Sequence, residues 1–543
     1  MPSTFDAIVI GAGHNGLTCA CYLARAGLQI LALDQYHTVG GMATTEEVTL
    51  PGFGSDLHAF GYQFASLSPA PQELGLSAFG FDLIRPEINY SHVFPDGGIV
   101  SMHRSVEDTV RSIGRYSKKD GETWRRWAER FVQAKDQIAA WMNSPPPSLS
   151  EATDMLARMP DGMDEYRFQL QSMRSWLNEQ FEAEETRLFM GSFASHAAVG
   201  PDDAGGGNLV WLFASVIQDL GNRVVKGGMH HLPVALAAYL RSKGGQIRTG
   251  ARVSKIVVKG GRAVAVRLTD GEEIGVRQVV AASTDPRQLI VDFLGEEHVG
   301  RDMVRRMQRY EWGDAYLTIY LALDGPLTYH AGADAGRSPY VHPTPPTLEY
   351  LSRIYSECRS GHLPAAPLVV MCNDSAVDPT RAPSGKALMK LIVLNVPYEI
   401  KGDATRKISA RTWDDAKEAY ADHVINLVAD TYAPSLRNLI LKRVVHSPLD
   451  MERTIPSAVR GTVTHGAFLP YESADQRPLP GLGRYRMPVP NVYLCGSGAR
   501  SRRRRLYGSG KKRRSRHSRR AEITLEGRGT GRSWPNSAPP SRS

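Results

Sequence analysis

Near its start the chain reads Phe5-Asp6-Ala7-Ile8-Val9-Ile10, then Gly11-Ala12-Gly13-His14-Asn15-Gly16. No other stretch constrains the fold as strongly. A short, continuous β-branched run that stops at glycine is the pattern of a parallel strand buried on both faces. Leu17 to Ala26 follow with small and apolar helix formers, and Gly27 stands where a helix C-cap belongs. A second apolar run, Leu28 to Leu33, ends at Asp34, eighteen residues after Gly16. A lone G-x-G-x-x-G is weak, but the order strand, turn, helix, strand, acid is the context that gives it meaning. Gly11 makes the tight turn, Gly13 lets a pyrophosphate approach the backbone, and Gly16 lets the helix pack close to the strand, with Ala12 and Asn15 between them. The helix N-terminus then offers unpaired N–H groups and a positive dipole end to phosphates. Asp34, at the second strand's tip, can accept hydrogen bonds from adenosine ribose hydroxyls. Dinucleotide binding follows.

An acid at this strand tip suits FAD or NAD. Just downstream lies Val39-Gly40-Gly41-Met42-Ala43-Thr44-Thr45, whose paired glycines resemble the second pyrophosphate contact of FAD-dependent oxidases and desaturases. No second strand-linked G-x-G-x-x-G offers a separate nicotinamide site. Gly205-Gly206-Gly207-Asn208 has no apolar strand before it and reads as a loop. The expected cofactor is FAD.

Three stretches together carry a family resemblance. "DAIVIGAGHNGLTCACYLARAGLQILALD" with "VGGMATT" and "PGF", "VKGGMHHLPVALAAYLRSKGGQIRTGARVSKIVV" from Val225 to Val258, and "YRMPVPNVYLCGSGA" from Tyr485 to Ala499 resemble the FAD-containing phytoene desaturase-like family. The branch is that of pyridine nucleotide-disulfide oxidoreductase domain-containing protein 2 and the carotenoid ketolases. The residues also read without it. Leu232, Leu236 and Leu240 share one helical face, Gly244-Gly245 stops that helix, and Val253 to Val258 and Ala263 to Leu268 flank a Lys259-Gly260-Gly261-Arg262 turn as a hairpin. The resemblance implies that the backbone of Val253 lies against the adenine and that the turn containing Gly496 meets the flavin's ribityl-phosphate side. From the residues alone, Val253 reads equally well as a core valine.

Three separated cofactor segments imply an α/β fold in which a Rossmann-like FAD-binding domain is interleaved with an α+β substrate domain. The expected FAD-binding pieces are 1–65, 222–300 and 455–500. The expected substrate pieces are 66–221 and 301–454, with 501–543 a basic disordered tail. In the substrate part, Trp124, Trp127, Phe131, Ile138 and Trp141 fall near one helical face and read as core, and Pro145-Pro146-Pro147 breaks that helix. Ala315 to Leu323 and Ala387 to Val396 read as strands.

The resemblance implies oxidation or dehydrogenation of an apolar polyene- or lipid-like small molecule by hydride transfer to flavin. The alternatives are a flavin amine oxidase and a non-catalytic flavoprotein. No catalytic base is assigned. His58, Tyr62 and Phe64 follow the double glycine, where the chain should pass near the flavin, and His58 reads as a base, a flavin hydrogen-bond partner or a merely packed residue. His196, His230, His231 and His465 stand open in the same way and show no metal-ligand spacing, so no metal is expected. Neither a nucleophile elbow nor a Walker A loop is present. Cys19, Cys21, Cys358, Cys372 and Cys495 form an odd, scattered set that reads as reduced thiols. No window approaches the ~18 apolar residues of a membrane span. A cytoplasmic protein is expected, free or in peripheral contact with a membrane.

The net charge is +9, yet 15 Lys/Arg and 2 Asp/Glu lie between Arg500 and Ser543, which leaves the preceding residues at −4. No nucleic-acid partner is expected for the acidic body. The basic run begins inside the motif that the resemblance continues into a glycine-rich turn and an apolar helix. Serial GGC glycine codons read one base out become CGG arginine codons. A frame slip near Ala499 therefore explains "RRRR" at that place better than a polybasic tail for membranes or nucleic acid.

Overall fold

The computed structural model describes residues 3–193, 196, 198–472 and 474–499. The expected basic tail, 501–543, lies outside the described residues. Two seven-stranded sheets organise the rest. In the first, Thr4–Ile10 is central and runs parallel to both Ile30–Leu33 and Glu273–Ala282. Ala7 and Val9 face one apolar cluster, and Ile8 and Ile10 face another. This two-sided burial is what the uninterrupted β-branched run predicts. The helix His14–Arg25 returns along the sheet, burying Leu17, Ala20, Cys21 and Leu23. The hairpin Val253–Lys259/Arg262–Leu268 extends one edge through a turn in which Gly260 and Gly261 both have positive φ, the geometry a two-residue hairpin loop demands. Val492–Leu494 joins Glu273–Ala282 in parallel.

The second sheet runs in the order Ile440–His446, Ala315–Leu323, Ala387–Val396, Val369–Cys372, Tyr340–Pro343, Ile88–Val93, Ile99–His103. The strands expected at 315–323 and 387–396 have those bounds and are buried throughout. Helix Trp413–Thr431 covers one face through Tyr420, Val424 and Val428, which pack with Leu317, Ile319 and Leu391. The opposite face, with Tyr316, Ile392 and Leu394, joins a cluster of aromatic side chains.

Two readings need correction. Gly205-Gly206-Gly207 is not a plain loop: Gly205 caps, and Gly206 and Gly207 begin, the helix Gly206–Leu220. A Cβ on Gly206 would stand 2.9 Å from the Met173 nitrogen, and one on Gly207 would stand 2.7 Å from the Trp176 Cβ. The glycines are there because two helices touch. In the helix Lys118–Met142, which ends before Pro145, Trp124 and Phe131 are fully buried. Trp141, however, is 46% exposed, because the last turns of that helix run past the cluster that covers its first half.

The segment 54–59 leaves the first sheet's turns and is held by the second. Arg381, 1% exposed, donates through Nε and Nη2 to the Gly54 carbonyl at 2.9 and 2.6 Å and pairs with Asp56 at 3.0 Å. Lys390 donates to the carbonyls of Asp56 and Ala59 at 2.8 and 3.0 Å, and the Tyr320 hydroxyl donates to that of Leu57. Arg381→Leu strands Asp56 and Asp374 without their cation and is expected to cost about 3–5 kcal/mol. Lys390→Met, which leaves two carbonyls unpaired, is expected to cost about 1–3 kcal/mol. Denaturant unfolding of each variant checks both.

Candidate active site

A cavity of about 440 Å³ runs from the first glycine turn to the aromatic face of the second sheet. At one end the wall is Gly11, Gly13, His14, Asn15, Asp34, Gly41, Met42 and Val253. At the other it is Phe60, Phe64, His196, Phe213, Tyr316, Ile392 and Leu394. His58, Ser283, Gln288, His465 and Ser497 lie along its lining as well.

The first end is built from two turns packed back to back. Gly13 bridges Gly40, and the Gly40 N–H donates to the Ala12 carbonyl at 3.1 Å. A Cβ on Gly41, whose φ is +55°, would come within 3.3 Å of the Gly13 Cα. A Cβ on Gly16 would sit 1.9 Å from the Gly11 carbonyl oxygen, so strand and helix meet without room for any side chain. The Gly13 N-cap supplies no side chain to the first amides of the helix, and that helix turn carries no acid. Asp34 accepts from the Ala12 N–H at 2.7 Å through Oδ2 and from the Tyr36 N–H at 2.9 Å through Oδ1. Burial raises its pKa against these donors.

The sequence-derived residues divide in two. Gly11, Gly13, Asn15, Asp34, Gly41, Met42 and Val253 line the cavity. Ala12, Gly16, Gly40 and Gly496 stand behind them and shape the backbone: Ala12 is fully buried, and a Cβ on Gly496 would lie 3.2 Å from Ser283 backbone atoms. Of the expected flavin-side residues, His58 and Phe64 reach the cavity and Tyr62 does not, because it turns into the core beside Phe81. Both ring nitrogens of His58 lack a hydrogen-bond partner, and burial, with His446 and Lys390 nearby, pushes its pKa down to about 3. His465 is pushed to about 4 by burial and by Arg477. His196 also lines the cavity, whereas His230 and His231 sit at the start of the helix His231–Ser242, away from it. Phe60, Phe213, Tyr316, Ile392 and Leu394 escaped sequence reading, since no local spacing ties them together.

The flavin containing amine oxidoreductase family model matches residues 16–503. This chain belongs to that family. It is an FAD-dependent oxidoreductase. Pyridine nucleotide-disulfide oxidoreductase domain-containing protein 2 of Mus musculus is 28% identical to it over 538 residues, covering 91% of this chain and 90% of that protein. A limonene dehydrogenase polypeptide of Castellaniella defragrans is 27% identical over 519 residues, with the same coverage of each. An oxidoreductase from Methanosarcina mazei shares the fold, at a TM-score of 0.57 with 17% identity, over 91% of this chain and 94% of that one. In this oxidoreductase, no group of His, Cys, Asp and Glu among the described residues could hold a metal ion. No helix among them is long and apolar enough to cross a membrane.

The Gly16 contact is with backbone, which cannot step aside as a side chain can. Gly16→Ala is expected to destabilise the protein by about 1–3 kcal/mol or more, read as a lower denaturation midpoint.

Proposed function

We propose that this oxidoreductase dehydrogenates an apolar, polyene- or terpene-like substrate, with FAD lying along the cavity. Gly11, Ala12, Gly13, Asn15, Gly16, Asp34, Gly40, Gly41, Met42, Val253 and Gly496 form its binding residues. The FAD-binding domain is assembled from 1–65, 222–300 and 455–500, and the substrate domain from 66–221 and 301–454. Strands of the first sheet drawn from 4–33, 246–282 and 492–494 support the first assignment. The fit to a dinucleotide rests on Gly13. A Cβ there would make only ordinary contacts with protein, 3.6 Å or more away, so the chain itself does not require glycine. The space beside Gly13 is cavity, next to the open first turn of the helix, where a pyrophosphate is stabilised by N–H groups and dipole. Gly13→Ala is therefore expected to match the flavin-free wild type in melting temperature yet retain little FAD, measured as flavin released per chain.

One observation carries the substrate class. Among the described residues that line the cavity, Asp34 is the only carboxylate, and it lies at the nucleotide end with both oxygens held by backbone amides. The aromatic end offers no acid to a protonated amine, whose burial there would go uncompensated. An apolar hydrocarbon meets no such cost, and the similarity to a dehydrogenase named for limonene, a terpene hydrocarbon, supports the same reading. Bound FAD supplies the hydride acceptor. The chain's own part is to orient the substrate between Phe60, Phe64, Phe213 and Tyr316 and to keep water out. In anaerobic rapid mixing, limonene or a carotenoid polyene is expected to bleach the flavin at least about 100-fold faster than a primary amine, the equivalent of the ~3 kcal/mol that an unpaired buried charge costs. Faster bleaching by the amine would reverse the assignment.

We also infer peripheral contact with a membrane. Leu149, Met155 and Met163, at 66%, 57% and 77% exposure, project from the helices Leu149–Ala157 and Gly162–Leu170. The contact is apolar, not electrostatic, because Glu151, Asp154, Asp161, Asp164 and Glu165 outnumber the basic residues of this segment. Co-sedimentation with phosphatidylcholine vesicles, lost on exchanging those three residues for serine, is the expected result.

A further inference from the structure

Behind the aromatic end of the cavity lies a cluster of imidazoles that no cofactor contact uses. His196 lines the cavity with its ring stacked on Phe213, centroids 5.3 Å apart. The Tyr316 hydroxyl donates to its backbone carbonyl at 2.9 Å and fixes its position in the wall. Its Nε2 lies 3.2 Å from Nε2 of His342 and 3.4 Å from the Tyr90 hydroxyl, neither of which lines the cavity. His342 is fully buried and stacks on His92, also fully buried, at 4.7 Å. Two nitrogens facing each other at 3.2 Å must share one proton, since neither two lone pairs nor two N–H groups attract.

We propose that His196, backed by His342, is the proton acceptor of the dehydrogenation. This inference rests on the apolar dehydrogenase reading above. Removing two hydrogens from adjacent carbons requires two acceptors. Bound FAD would supply the acceptor for the hydrogen that one carbon loses with its bonding pair. The neighbouring carbon loses a proton to Nδ1 of His196, and the electron pair of that C–H bond becomes the new π bond. As Nδ1 takes the proton, the Nε2–H of His196 donates to Nε2 of His342, whose lone pair stabilises the imidazolium while the charge stays on His196. Among the described residues, no carboxylate lines this end of the cavity to do the work instead. Of the other three imidazoles in the lining, His14 lies at the nucleotide end, and neither His58 nor His465 is hydrogen-bonded to a second imidazole in the structure.

The environment suits this task. Burial pushes the pKa of His196 down to about 3 and holds His342 well below the usual histidine range. Both rings are therefore neutral at the moment of reaction, and a lone pair is available at any physiological pH. A base this weak serves because the proton it takes sits next to a carbon that is losing a hydride, and such a proton is strongly acidic. A buried imidazolium would instead repel the same developing positive charge.

The test uses flavin-loaded enzyme, limonene and a carotenoid polyene as probes, and rapid mixing without oxygen. His196→Gln is expected to slow flavin bleaching by about 10²- to 10⁴-fold, the range of a lost general base. Its flavin content and the probe-induced shift of the flavin band should stay at wild-type values. Free imidazole should restore part of the rate in His196→Gly. His342→Phe should slow bleaching less, and the double variant should be no slower than His196→Gln alone, because the two rings act as one unit. The imidazole ¹⁵N spectrum should show one N–H shared between two rings in the wild type and none in His342→Phe. Wild-type bleaching in His196→Gln overturns the proposal, as does loss of flavin or of probe binding, which would make the residue structural. Failure of every apolar probe to bleach the wild type overturns the dehydrogenase reading and the role of His196 with it.

Discussion

Two buried cations hold the molecule's working space open. Lys390 on the strand Ala387–Val396 and Arg381 on the turn Pro379–Arg381 before it fasten the carbonyls of Gly54, Asp56 and Ala59, which belong to the segment leaving the first sheet's turns. A charge removed from water must find partners or give up its proton. These two find backbone oxygens and Asp56, so the segment between them has one position. His58 is carried on that segment and Phe60 follows directly after it, and both reach the cavity wall as a result. The cations themselves lie outside the cavity lining, yet Lys390 acts on it: its ammonium stands 5.8 Å from the Phe60 ring centroid and helps keep His58 neutral.

The nucleotide end depends on a different constraint, the close approach of backbone to backbone. Gly16 on the Gly11 carbonyl, Gly41 on the Gly13 Cα and Gly496 on Ser283 are places where a methyl group would meet main chain. Glycine there is a packing requirement of the protein, whereas at Gly13 the open side faces the cavity. The same motif thus contains glycines of two kinds, and only their surroundings in the folded chain tell them apart. Asp34 joins the kinds, since its carboxylate ties the first turn to the residues after the second strand.

The aromatic end is arranged to carry no charge. Its histidines are driven neutral by burial, and the cavity's one described acid lies at the far end with its oxygens occupied. The proposal of a hydrocarbon substrate rests on this lack of charge. The flavin's chemistry is common to the whole family. The walls are where one member differs from another.

The sequence by itself determined the local units. The run from Phe5 to Asp34, the helix after Gly228 and the hairpin around Gly260-Gly261 were legible because each is set by short-range chemistry: side-chain period, a stop at glycine, a turn that tolerates positive φ. The family and its cofactor followed from those motifs. What the sequence left open was decided by contacts between residues far apart in the chain. Gly206 and Gly207 are glycine because Met173 and Trp176 pack against the helix that they begin. Trp141 is exposed because its helix outruns the core. Phe60, His196, Phe213, Tyr316, Ile392 and Leu394 became one wall only when the second sheet turned its aromatic face toward the glycine turns. No spacing encodes that wall, because burial and the pairing of buried polar groups are properties of the packed whole and not of any stretch of chain.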